Sequence, residues 1–175
     1  MTARAGLRAI PSIISSSRVL LAAGFVAADT VDVRLSLVAL AAFTDVLDGW
    51  IARRAKWTTR WGALIDPIAD RVFALVAVST FLFSGVLSTF GYFVMISRDL
   101  MTAIGFLVSR TIPWLSKVPF KARPSGKLVT ILQIVTLVAL LRFPAWITAC
   151  LWAVAVASVY SIADYTFSLW RARPA

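Results

Sequence analysis

Four aspartates in one short stretch are the side chains of this sequence best suited to chemistry: Asp45, Asp48, Asp66 and Asp70. Long apolar runs flank them, and an ionised carboxylate inside a membrane costs about 2.5–3.5 kcal/mol on insertion scales. Four carboxylates together therefore require compensating positive charge, and their hard oxygens suit Mg²⁺, Mn²⁺ or Ca²⁺. The sequence has no His and a single Cys, which disfavours zinc. The stretch predicts a site for divalent metal.

Helical spacing would gather these carboxylates on two faces, each lined with small residues. On the first helix, the positions i, i+3, i+4 and i+7 are Asp45, Asp48, Gly49 and Ala52. On the next helix, the positions i, i+4 and i+8 are Gly62, Asp66 and Asp70. Positions with this spacing share one helix face, and small residues leave room for a ligand. Two metal ions would neutralise four carboxylates and suit chemistry at a pyrophosphate, to which Arg53 could add a bidentate contact.

Composition places these residues in a membrane protein. Of the 175 residues, 60% are hydrophobic, which exceeds the apolar share of a soluble domain. We expect a single domain over 1–175, since no polar stretch is long enough to form a separate soluble domain. The net charge of +10, from 18 Lys and Arg against eight Asp, favours membrane surfaces and anionic substrates over nucleic acid.

Six apolar runs predict an all-α, polytopic membrane protein with six transmembrane helices: roughly 10–28, 35–53, 63–84, 88–112, 126–142 and 145–169. A span needs about 20 apolar residues, and it must be helical because an open strand in lipid leaves backbone groups unpaired. Six spans would put both termini and the basic 53–61 and 110–127 segments on one side, which predicts that this side is cytoplasmic. The aspartates would then lie at the cytoplasmic ends of the second and third spans.

The aspartate pattern also resembles a known family signature. The pattern D-x2-D-G-x2-A-R-x8-G-x3-D-x3-D, from Asp45 to Asp70, is similar to that of the CDP-alcohol phosphotransferase (CDP-alcohol phosphatidyltransferase) family, six-span membrane enzymes of phospholipid synthesis. The run P-S-I-I-S-x2-R, which ends at Arg18, is similar to the opening of the family's first span. The segments 97–99 (S-R-D) and 126–133 (G-K-x2-T-x2-Q) resemble features of its glycerol-type subgroup.

The resemblance implies a role for each matching residue. Asp45, Asp48 and Asp66 would hold one metal ion, Asp45, Asp66 and Asp70 a second, and both ions would be Mg²⁺ or Mn²⁺. Asp70 would also be the catalytic base. The residues that line the CDP site would be Gly49, Ala52, Arg53 and Gly62. We also expect Arg98, Arg110 and Lys127 to bind the acceptor, of which Arg98 and Lys127 lie in the matching segments.

The implied reaction moves the phosphatidyl group of CDP-diacylglycerol to a glycerol-type hydroxyl, with release of CMP. Glycerol-3-phosphate is the favoured acceptor, because the basic 110–127 segment suits a doubly charged soluble molecule. Phosphatidylglycerol, which would give cardiolipin, is the first alternative acceptor, and inositol phosphate and serine are further alternatives. The resemblance further implies a homodimer in a bacterial inner membrane, in contact with membrane lipids, with the active site facing the cytoplasm and no role for nucleic acid.

Simpler explanations exist for several of these residues. The aspartates could line the pathway of a small ion transporter. Arg98 and Asp99 could form an intramembrane ion pair that only ties helices together, in place of an acceptor contact through Arg98. Asp164 carries no motif, and we expect it to pair with a neighbour or to face the cytoplasmic interface.

Overall fold

The computed structural model describes residues 17–55, 62–111 and 124–171. Only the backbone is described for residues 48–55, 62–70, 106–111, 169 and 171. Every regular element in these ranges is helical. We name the helices in chain order: α1 (Ser17–Ala27), α2 (Val31–Ala55), α3 (Gly62–Phe83), α4 (Thr89–Thr111), α5 (Pro124–Arg142) and α6 (Ile147–Arg171). A short 3-10 turn, Pro144–Trp146, precedes α6. The all-α prediction is confirmed for the described residues, and the predicted bounds of the second to sixth runs lie within a few residues of the helices.

Two helical segments in the described part of the chain are long and apolar enough to cross a membrane: Pro124–Arg142 and Pro144–Ser168. Two shorter apolar helical segments are Ser17–Ala27 and Arg71–Phe83. Large apolar side chains such as Trp152 and Val156 point outward from α6, as lipid-facing residues do. These features are consistent with a membrane protein, and the full set of six spans stays a prediction.

The chain divides into two compact units, Met1–Ser84 and Gly85–Ala175. The core of the first unit is built around Phe25 of α1, which is fully buried. Its ring makes edge-to-face contacts with Phe73 and Phe81 of α3, each with ring centroids 5.9 Å apart. Arg34 of α2 places its guanidinium 5.5 Å from the centroid of the same ring. These contacts join α1, α2 and α3, of which α2 carries the first half of the aspartate pattern.

In the second unit, α6 packs against both α4 and α5. Small residues allow these helices to approach closely, as is usual between membrane helices. A Cβ atom on Gly91 of α4 would lie 3.1 Å from Leu151 Cδ1 of α6. On α6, Val154 and Ala157 are buried in this packing. The arrangement brings the beginning of α5 next to the end of α6, where Ser125 and Asp164 are hydrogen-bonded.

Candidate functional site

The backbone places the aspartate pattern on two consecutive helices, as the spacing predicts. Asp45 and Asp48 lie in the second half of α2, and Arg53 lies in its last turn. Gly62 is the first residue of α3, which then carries Asp66 and Asp70 in its first turns. The helical register of each half is therefore confirmed. The side chains of Asp48, Gly49, Ala52, Arg53, Gly62, Asp66 and Asp70 lie outside the described residues, and so does the side chain of Arg110.

Asp45 is the one signature aspartate whose side chain the structure describes, and it forms a salt bridge to α1. Arg18 Nη2 lies 3.1 Å from Asp45 Oδ1. The arginine side chain is 3% exposed, whereas that of the aspartate is 48% exposed. A buried cation is costly without a partner, so the pair fixes the position of the Asp45 carboxylate while leaving it open to a ligand.

The donor chemistry of the pattern fits divalent metal. Carboxylate oxygens are the preferred ligands of Mg²⁺ and Mn²⁺, and the half-exposed Asp45 carboxylate is accessible to an ion. No group of three or more potential metal ligands occurs among the described side chains, a set that contains Asp45 but not the other three aspartates of the pattern. The predicted two-ion cluster therefore stays a prediction.

A second polar group, which we call the Arg98 network, consists of Arg98, Asp99 and Gln133. Arg98 Nη1 donates to Asp99 Oδ1 at 3.0 Å, which is the ion pair that the sequence raised as an alternative. Gln133 Nε2 on α5 donates to Asp99 Oδ2 at 2.9 Å and to the backbone oxygen of Met95 at 2.6 Å. Gln133 and Met95 are buried. The network thus joins α4 to α5 through charge-assisted hydrogen bonds.

The first turn of α5 lies against this network. A Cβ atom on Gly126 would collide with Arg98 Nη2, and it would lie 3.3 Å from Arg98 Cζ and 3.6 Å from the Tyr165 hydroxyl of α6. Ser125 Oγ donates to Asp164 Oδ2 at 2.9 Å, so the expectation that Asp164 pairs with a neighbour is confirmed. Residues of α4, α5 and α6 therefore meet at the beginning of α5.

Of the predicted acceptor residues, the structure brings Arg98 to the beginning of α5, where Lys127 is exposed. The sequence did not predict two of these contacts. Arg18 was recognised only as part of a motif, and Tyr165 carries no motif at all. The position of Arg18 in the P-S-I-I-S-x2-R run was a signal of importance, but nothing in the sequence named Asp45 as its partner.

Comparison with known proteins agrees with the signature. The family model for CDP-alcohol phosphatidyltransferase matches residues 8–160 of the chain, and this family generally uses divalent metal ions. Several relatives are named CDP-diacylglycerol–glycerol-3-phosphate 3-phosphatidyltransferase. The relative from Sodalis glossinidius is 33% identical over 135 residues, covering 73% of this chain and 69% of the relative. The relative from Pectobacterium atrosepticum is 34% identical over 134 residues, covering 73% and 68%. One from Aquifex aeolicus is 33% identical over 108 residues, covering 58% and 61%.

Proposed function

Since the chain belongs to the CDP-alcohol phosphatidyltransferase family, we propose that it transfers the phosphatidyl group of CDP-diacylglycerol to glycerol-3-phosphate and releases CMP. The observation that carries this proposal is the complete aspartate signature within the matched residues 8–160. The choice of acceptor is supported by the relatives, which are named for glycerol-3-phosphate. It is also supported by the charge of the chain, +10, which suits an anionic acceptor.

The proposed roles of the signature residues follow from their chemistry. The carboxylates of Asp45, Asp48, Asp66 and Asp70 would hold two ions of Mg²⁺ or Mn²⁺, which supply positive charge next to the reacting phosphates. Asp70 accepts the proton of the acceptor hydroxyl. The oxygen then forms a bond to the lipid-side phosphorus, and the bond from that phosphorus to CMP breaks.

The remaining site residues bind and orient the substrates. Gly49, Ala52 and Gly62 leave room for the CDP moiety, and Arg53 contacts its phosphates through two parallel hydrogen bonds. Arg98, Arg110 and Lys127 bind the phosphate of the acceptor. Holding both substrates in a reactive orientation accounts for a large part of the acceleration in such displacements.

The apolar helices and the bacterial relatives mark the chain as an integral membrane protein. We propose that it forms one domain with six transmembrane helices over 1–175, with its active site facing the cytoplasm of a bacterial inner membrane, and that it assembles as a homodimer. The concentration of basic residues in the 53–61 and 110–127 segments supports this orientation.

An acceptor panel tests the proposed function. Purified protein is incubated with CDP-diacylglycerol, Mg²⁺ or Mn²⁺, and one acceptor at a time: glycerol-3-phosphate, phosphatidylglycerol, inositol phosphate or serine. We expect CMP release with glycerol-3-phosphate, a lipid product of the mass of phosphatidylglycerophosphate, and no release after EDTA treatment. Product only with phosphatidylglycerol would reassign the acceptor. A protein that releases no CMP with any acceptor would instead fit the ion-transporter alternative.

A further inference from the structure

The proposed reaction gives no role to Asp99 and Gln133, although both are tightly held. We infer that they are positioning residues, which fix the Arg98 guanidinium at the first turn of α5 so that it binds the phosphate monoester of a small soluble acceptor. Gly126 contributes to the same positioning, because its lack of a side chain leaves the space that the Arg98 guanidinium occupies. This inference rests on the proposed function, since it concerns the acceptor of that reaction.

The hydrogen bonds form a chain that begins at the buried Gln133, passes through Asp99 and ends at Arg98. An amide nitrogen has two donor hydrogens, and Gln133 Nε2 uses them on Met95 O and Asp99 Oδ2. Both acceptors are oxygens, which also sets the orientation of the amide group. The Asp99 carboxylate is thereby held through one oxygen, and its other oxygen holds Arg98 Nη1. Gln133 thus anchors Asp99, and Asp99 anchors Arg98.

The guanidinium keeps hydrogen-bonding capacity beyond this anchor. It has five donor hydrogens in a rigid plane, and its one hydrogen bond to a described residue is that from Nη1 to Asp99. Nε is buried without an acceptor among the described residues, and Nη2 lies against Gly126. A tie that served only to join α4 and α5 would not require a fork with unused donors, whereas a planar fork suits an incoming phosphate.

Gly126 gives independent support. Glycine destabilises a helix relative to alanine, so its presence in the first turn of α5 needs a reason. A Cβ atom at this position would collide with Arg98 Nη2, the far end of a flexible side chain, so an alanine here would displace the guanidinium from its observed position. By contrast, a Cβ atom on Gly24 of α1 would make ordinary contacts at 3.7 Å and 3.8 Å with Leu37. Gly24→Ala is therefore a matched control for Gly126→Ala.

The test compares Asp99→Asn, Gln133→Met and Gly126→Ala with the parent and with Gly24→Ala, in full-length protein purified in detergent. We expect the KM for glycerol-3-phosphate to rise about tenfold in the first three variants, as for the loss of one well-placed contact to a charged group. The KM for CDP-diacylglycerol should stay within about twofold of the parent value. Gly24→Ala should leave both KM values unchanged.

A double-mutant cycle separates positioning from simple helix tying. If Asp99 acts through Arg98, then Asp99→Asn should add nothing to the acceptor KM in an Arg98→Met background. Equal rises in both KM values, together with a lower thermal unfolding temperature, would overturn the inference in favour of a structural tie. Gly126→Ala tests the same guanidinium position if Asp99→Asn does not fold. A parent protein that releases no CMP with glycerol-3-phosphate would refute the proposed function itself, and the inference would fall with it.

Discussion

Among the described residues, the two compact units each show an arginine–aspartate pair with a contact of about the same length. The two pairs differ in which partner is accessible. In the first unit, Arg18 is almost completely buried and Asp45 is half-exposed. In the second unit, both Arg98 and Asp99 are largely buried, and the second carboxylate oxygen of Asp99 accepts a hydrogen bond from Gln133. The Asp45 carboxylate of the first pair is accessible to solvent, whereas both oxygens of the Asp99 carboxylate accept hydrogen bonds from other residues of the protein.

The difference indicates that the arginine positions the aspartate in the first pair, whereas the aspartate positions the arginine in the second. A buried cation behind an open carboxylate positions that carboxylate for a positively charged ligand, so Arg18 serves Asp45. A carboxylate engaged on both oxygens positions its cation for a negatively charged ligand, so Asp99 serves Arg98. Burying either charge alone would be costly, which explains why each functional group needs its partner. Under the proposed function, the first pair would therefore position a metal ligand and the second pair a phosphate ligand.

The largest effect should come from the chemistry assigned to the carboxylates of the first unit. Asp70→Asn keeps the size of the side chain but cannot accept the proton of the acceptor hydroxyl, so we expect the rate of CMP release to fall about 10²–10⁴-fold. Binding of CDP-diacylglycerol should be largely retained. The measurement is turnover at saturating substrates and metal, with equilibrium binding of CDP-diacylglycerol as the control. Turnover within tenfold of the parent would remove Asp70 from the role of base.

The sequence predicted the helices well because their signals are local. Apolar runs of the length of a span, interrupted by polar segments with Pro and Gly, place the ends of the second to sixth helices within a few residues of those observed. Helical periodicity also predicts which residues of α2 and of α3 share a face. Both kinds of signal depend only on neighbours along the chain.

The partners across helices could not be predicted in the same way. Arg18 meets Asp45 on another helix, and Gln133 meets Asp99. Periodicity gives the face of a helix but not which helix lies opposite, or at what height along it. The motifs therefore indicated Arg18 and Gln133 without their partners, and Tyr165, which lies beside Gly126, had no signal in the sequence.

Removing Arg98, which Asp99 positions in the second unit, should give the next largest effect on activity. Arg98→Met should raise the KM for glycerol-3-phosphate about 10–150-fold, since a hydrogen-bonded contact to a charged group contributes about 1.5–3 kcal/mol. Arg98→Lys keeps the charge but loses the planar fork, and we expect an intermediate rise. The measurement is the acceptor KM at saturating CDP-diacylglycerol and Mg²⁺. If Arg98→Met changed kcat and left the acceptor KM unaltered, Arg98 would not bind the acceptor.

The first pair is tested through metal binding. Arg18→Met should weaken the binding of Mn²⁺, because residues that orient a metal-ligating carboxylate typically contribute about 10–100-fold in metal affinity. Direct titration of Mn²⁺ by electron paramagnetic resonance measures this without turnover. Arg34→Gln is the control, since Arg34 lies in the same unit and contacts Phe25 and the Ala28 carbonyl. Tighter binding of Mn²⁺ to Arg18→Met would mean that the arginine competes with the ion for Asp45 instead of positioning it.

The smallest effect should come from Lys127, the exposed cation in the first turn of α5. Unlike Arg98, it is solvated, and exposed charges contribute less than about 1 kcal/mol to an ionic contact. Lys127→Ala should therefore raise the KM for glycerol-3-phosphate by about fivefold or less, and added salt should reduce the difference because it screens exposed charges. Arg142→Ala, which removes an exposed cation from the last turn of the same helix, should leave the acceptor KM unchanged. Equal acceptor KM values in all three proteins at low salt would show that Lys127 contributes nothing to acceptor binding, and the contribution of α5 to the phosphate site would then rest on the position that Gly126 gives to Arg98.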